Sequence, residues 1–261
     1  MRILREAMRA APVVVMAMTI GYVLTGRETA PATRVDSGVV TVADDTARVV
    51  EHVDYNAVVE RVGDVVLAAG RPVSVTEDPD VALVWGLVDE VWPESRRGQL
   101  AQLSVIREGP LGLVGVVHRA SAGGWILSID AADLDRRDVV IETIVHELAH
   151  VVTLSPDRFD FGGGSGCDGV ISDLGCARRD SALARFSETF WPGGRVAYEG
   201  SDGFVTDYAR SAVHEDLAES FTAWVFEWPL DETSVASAKI EQLGEDTELL
   251  ALRDELRERL G

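Results

Sequence analysis

The sequence predicts an α+β domain, with a small, mostly antiparallel sheet in its N-terminal part and helices in its C-terminal part. Three observations carry this. Strand-like segments cluster before residue 131, joined by short turns. One long, strongly apolar helical run follows them. Beyond residue 180 the apolar residues recur at helical spacing, with no further strand signal.

In order along the chain, Asp44 and Asp45 precede a helical pattern in which Val58, Val62, Val65 and Val66 share a face and Gly70 stops the run. Arg71 to Thr76 reads as a short strand, and Asp78 to Trp92 as a helix closed by Pro93. Leu103 to Arg107, Leu113 to His118 and Trp125 to Asp130 read as strands separated by turns at Gly109-Pro110 and Gly123-Gly124. The short connections predict antiparallel pairing of neighbours. Arg136 to Leu154 is the long apolar helix. Ser155 to about Arg179 is glycine-rich and irregular, the kind of loop that is functional or flexible. Helices follow around Leu183, Phe186 and Phe190, from about Val213 to Trp228, and around Leu249, Leu252, Leu256 and Leu260.

The chain has 261 residues and a formal net charge of −20. That balance disfavours nucleic acid and anionic membrane surfaces as partners, since both attract basic proteins. Arg2, Arg5 and Arg9 precede an uncharged stretch from Ala10 to Gly26, the layout of a signal peptide or N-terminal anchor. The expected organisation is therefore a targeting segment over 1–32, a linker over 33–43 and one domain over 44–261, with lobes of about 44–155 and 156–261. The rest of the chain is expected outside the cytoplasm, secreted or membrane-anchored. There, Cys167 and Cys176 are expected to form a local disulfide.

The chemistry concentrates at His146-Glu147-Leu148-Ala149-His150. Histidines four residues apart lie on one helix face, so both imidazoles can reach one ion. Glu147 is rotated about 100° from His146, where a carboxylate can reach a metal-bound water without occupying the metal. This H-E-x-x-H pattern is the signature of zinc peptidases. It implies one catalytic Zn2+, a bound water with its pKa lowered to about 7, and Glu147 as the base that takes its proton and passes it to the leaving amine. The competing reading is a pair of satisfied core histidines. A di-iron site would need a second Glu-x-x-His, which the sequence lacks.

Such a zinc needs a third protein ligand. Thr153 and Pro156 stand where a metzincin has Gly and His, and every methionine lies at or before Met18, so no Met-turn can form. A later helix offers Glu215 and Glu219, which share a face. Glu215 is assigned to the metal, and Glu219 to orienting a ligand histidine. His214 is the alternative ligand, and a solvated acidic face is the bland one.

Tyr208, Glu215 and Glu219 reproduce a Y-x6-E-x3-E spacing. With H-E-x-x-H, this resembles the gluzincin-type zinc metallopeptidases, in the group related to the catalytic domain of anthrax lethal factor. The resemblance spans roughly residues 125 to 226. It implies a zincin-like fold, Glu215 as a zinc ligand and Tyr208 as a donor to the transition-state oxyanion. It also implies that the strand Trp125 to Asp130 pairs with the substrate backbone. The expected activity is endopeptidase action on a protein or peptide. A non-catalytic zinc-stabilised binding protein and a zinc amidase acting on cell-wall peptides are the alternatives.

Overall fold

The computed structural model describes residues 60–107, 114–162, 166–172, 174–196 and 203–261, together with the backbone of 33–36, 39–42 and 48–49. The expected targeting segment lies outside the described residues. Within the expected linker and just beyond it, the backbone of β1 (Thr33–Asp36), β2 (Val39–Val42) and β3 (Arg48–Val49) pairs as a small antiparallel sheet. The fold is α+β, with a mixed five-stranded sheet and seven α-helices among the described residues. The chain divides into two compact units, Met1–Glu147 and Leu148–Gly261, and the division falls within one continuous helix.

In the first unit the sheet comprises β4 (Glu60–Ala68), β5 (Arg71–Val75), β6 (Leu100–Arg107), β7 (Gly115–Arg119) and β8 (Trp125–Asp130), in the order β5-β4-β6-β8-β7. The helix expected around Val58 to Val66 is instead strand β4, from Glu60 onward. Gly63, Val65 and Leu67 are buried while the residues between them are not, a period of two that suits the β-branched valines. The expected pairing of successive strands also changes. β6 pairs with β8 in parallel, and β7 folds back antiparallel against β8 at the sheet edge. Two helices, α1 (Pro79–Val91) and the short α2 (Glu94–Arg97), connect β5 to β6. Asp78 caps α1, its carboxylate accepting from the Asp80 N–H at 2.8 Å, with Pro79 at the first helical position.

Strand β8 delivers the chain to the next helix. Its last residue, Asp130, accepts from the Ala132 N–H at 2.8 Å and starts a 3-10 turn over Ala131–Asp133. Helix α3 (Arg137–Thr153) follows. From Thr143 to its end every residue is buried. Its buried hydroxyls are satisfied within the helix: Thr143 donates to the Val139 carbonyl at 2.8 Å and Thr153 to that of Ala149 at 2.7 Å. Gly115 of β7 lets the helix approach closely, since a β-carbon there would meet Thr143 Cγ2 at 2.6 Å.

In the second unit the stretch expected to be irregular contains a small antiparallel sheet of β9 (Phe159–Asp160), β10 (Val170–Ser172) and β11 (Gly175–Ala177), with β11 in the middle. Gly175 has φ of +144°, and a β-carbon there would lie 2.3 Å from the Asp160 carbonyl, so only glycine fits. Cys167 and Cys176 are joined by a disulfide with Cα atoms 5.7 Å apart, as expected. Four helices complete the unit: α4 (Ala182–Phe190), α5 (Val213–Phe226), α6 (Val235–Gly244) and α7 (Thr247–Leu260). Of these, α6 is absent from the sequence reading. Among the described residues no helix is long and apolar enough to cross a membrane.

Candidate metal centre

Helix α3 holds His146, Glu147 and His150 at zero exposure. The apolar residues around them, Val145, Leu148, Ala149 and Val151, are equally buried and keep the helix in place. Burying each Val or Leu contributes about 1.5–3 kcal/mol, enough to hold polar side chains away from water. Glu215 projects from the first turn of α5 and is 3% exposed.

One ligand atom from each of His146, His150 and Glu215 lies within 4.8 Å of the other two. His150 Nε2 and Glu215 Oε2 are 3.1 Å apart. Two ligands each about 2.0–2.2 Å from a tetrahedral ion are separated by roughly 3.3–3.6 Å, close to the His150–Glu215 separation. Two imidazoles and a carboxylate are also the donor set of a catalytic zinc that keeps one position for water. The residues present therefore fit a zinc ion.

Glu147 lies beside this cluster in sequence and is fixed from the sheet. The Val117 N–H, on edge strand β7, donates to Glu147 Oε2 at 2.9 Å. A carboxylate oxygen that accepts a backbone hydrogen bond is oriented by it. No sequence pattern announces this contact, because its donor is a main-chain group and β7 reaches the helix only through the sheet order.

His214 is 4% exposed, with Nε2 3.4 Å from Glu215 Oε1 and its ring 5.8 Å from that of His150. It flanks Glu215 and is not one of the three clustered groups. Glu219 is 1% exposed, and the Thr206 hydroxyl donates to its Oε2 at 2.5 Å. Thr206 Oγ1 in turn accepts from the Ala209 N–H at 3.1 Å. Tyr208 starts the 3-10 turn Tyr208–Arg210, which packs against α5, and is half-buried. Both acidic residues are thus interior, so the solvated-face reading of this helix is set aside.

The strand expected to pair with substrate, Trp125–Asp130, does not have an open edge. β6 and β7 flank it on either side, and the sheet edge nearest to Glu147 is β7. His118, also on β7, is half-buried, and burial pushes its pKa below the usual histidine value.

Asp216, next to Glu215, was not singled out by the sequence. It is fully buried, and so is its partner Lys239 of α6. Lys239 Nζ lies 2.8 Å from Asp216 Oδ1 and 2.6 Å from Oδ2, and the Trp191 indole N–H donates to Oδ2 at 2.7 Å. The Asp216 carboxyl is raised to about 6, because burial outweighs the opposing pull of Lys239 and Trp191; burial likewise lowers Lys239.

No family model matches the chain. No curated protein matches it. Among solved structures it is similar to a protein from Bacteroides caccae provisionally assigned as a zinc-binding metallo-peptidase, at 16% identity. The similarity covers 71% of this chain and 78% of that one, with a TM-score of 0.40.

Proposed function

We propose that this protein is an exported, zinc-dependent endopeptidase. The observation that carries the reading is the buried His146, His150 and Glu215 cluster with a buried, hydrogen-bonded Glu147 one residue from a ligand. His146, His150 and Glu215 would hold the zinc ion, which would supply Lewis acidity to the site. Glu147 takes the proton from the attacking water and hands it to the departing amine. Val117 N–H keeps that carboxylate aimed throughout. Tyr208 offers a neutral phenol to the negative charge that develops on the substrate carbonyl oxygen.

The spacing of Tyr208, Glu215 and Glu219 supports placing the chain among the gluzincins, near the lethal-factor-related group. The N-terminal segment and the Cys167–Cys176 disulfide support export.

The test is Glu147→Gln, which preserves shape and removes the base. Zinc content is expected to stay at one ion per chain while cleavage of fluorescein-labelled casein falls by about 100-fold or more. A variant that cleaves casein at the parent rate overturns the mechanism. Zinc binding by a parent protein that cleaves neither casein nor peptidoglycan peptides would instead favour a zinc-stabilised binding protein. Cleavage of peptidoglycan peptides alone would favour an amidase.

A further inference from the structure

The Lys239–Asp216 pair needs an explanation that stability does not supply. Removing two charges from water is costly, and well-packed apolar residues of similar volume often serve a core as well or better. What such a pair does provide is directional: each partner accepts only certain neighbours at certain angles.

The neighbours that bear on its role lie in the second unit. Asp216 occupies the first turn of α5, one residue after Glu215. Trp191, at the end of α4, donates to one carboxylate oxygen at 2.7 Å. Lys239 Nζ donates to the Gly203 carbonyl at 2.5 Å and sits 4.1 Å from the centroid of the Phe204 ring. The Arg210 guanidinium lies 4.6 Å from that same ring centroid. The segment from Gly203 to Arg210 is therefore gripped at its start by Lys239. It is gripped again by the hydrogen bond of Thr206 to Glu219 at 2.5 Å, and braced within itself by the Ala209 N–H to Thr206 Oγ1. Tyr208 lies inside this doubly held segment, and Glu215 lies on the helix that holds it.

We propose that Lys239 and Asp216 are positioning residues: a buried strut that fixes the Tyr208 segment and the first turn of α5 in one arrangement, so that Glu215 and Tyr208 serve the same centre. This deepens the peptidase reading and rests on it for the roles of Glu215 and Tyr208. Neither strut residue touches the metal cluster through a contact described above. Their influence passes through backbone that they hold.

The test replaces the pair by apolar residues of similar size, in the double variant Asp216→Leu with Lys239→Met. Zinc affinity is read by competition with a chromophoric chelator. The site's geometry is read by the visible spectrum after loading with Co2+, and turnover with labelled casein. The expected result is a melting temperature of the metal-free protein within about 5 °C of the parent. Zinc affinity falls by about tenfold, the Co2+ bands shift, and kcat drops with little change in KM. A folded double variant with parental zinc affinity and parental Co2+ spectrum overturns the proposal. If that variant does not fold, Trp191→Phe removes a single hydrogen bond from Asp216 and keeps an aromatic ring. It should weaken zinc binding by about two- to threefold, and unchanged affinity and spectrum there overturn the proposal equally. A parent protein that binds no zinc removes the metal reading and this inference with it. A parent that binds zinc without cleaving casein removes only the peptidase reading, because affinity and spectrum still report on the strut.

Discussion

At the scale of single residues, the site separates groups that would hold a metal from groups that would do chemistry. In the proposed mechanism Tyr208 belongs to the second set. Tyr208→Phe removes one hydroxyl from a half-buried ring and should leave zinc content unchanged. Its expected effect is a loss in kcat of about 10- to 100-fold, measured with casein under saturating zinc. Equal turnover by the variant would exclude the phenol from the reaction. His146, Glu147 and His150 were legible at this scale because a five-residue pattern on a helix fixes which side chains share a face. Glu215 was legible through its spacing from Glu219. Asp216 was not, although it stands between them. Its importance comes from Lys239 and Trp191, 23 and 25 residues away, on elements whose placement no local pattern encodes.

At the scale of elements, the sequence spoke most clearly where periodicity and burial agreed. Leu249, Leu252 and Leu256 mark the buried stripe of α7, and all three are buried. Strand β4 misled because Val58, Val62, Val65 and Val66 satisfy a helical spacing by chance, while the alternating burial of Gly63, Val65 and Leu67 needs the sheet to become visible. Helix α6 hid because its buried positions include Ala236 and Lys239, and a lysine is not counted as core until its partner is known. Its neighbour α7 yields a pH prediction. Asp246 caps α7 through the N–H groups of Glu248 and Leu249, and receives Arg158 at 3.0 Å and Arg185 at 2.9 Å. Burial alone would raise this carboxyl, but the hydrogen bonds from Arg158, Leu249 and Arg185 outweigh it and hold it below its ordinary value. A depressed native value means that the unfolded chain binds the proton more readily, so the contribution is present above the unfolded value. It is lost as pH falls through the native one. Asp246→Asn should therefore destabilise by about 1–3 kcal/mol near neutral pH. The gap to the parent should close below a pH of about 4, as urea titrations at both pH values would show. A gap that persists at low pH would mean that the contact acts through packing and not through charge.

At the scale of the whole molecule, a metal that binds only the folded chain adds its binding free energy to stability. With free zinc at about 1,000 times its dissociation constant, the gain is about 4 kcal/mol, on the order of 10 °C in melting temperature for a chain of this size. Chelation should remove that increment, and re-addition of zinc should restore it, by calorimetry on the same sample. In Glu147→Gln the increment should survive, whereas Glu215→Ala should abolish most of it. The net charge of −20 is a property of this scale too.

The hydrogen bond from the Val117 amide to Glu147 has a consequence for inheritance. The donor belongs to the backbone, so no codon specifies it directly. Every residue except proline carries the same N–H, and the side chain at 117, fully buried, answers only to the volume of the core. In a saturation mutagenesis screen for activity, position 147 should therefore accept almost nothing. Position 117 should accept isoleucine freely and other apolar residues by size, and reject proline outright. Half of the contact that orients Glu147 is thus shielded from most point mutation, while the other half is exposed to all of it.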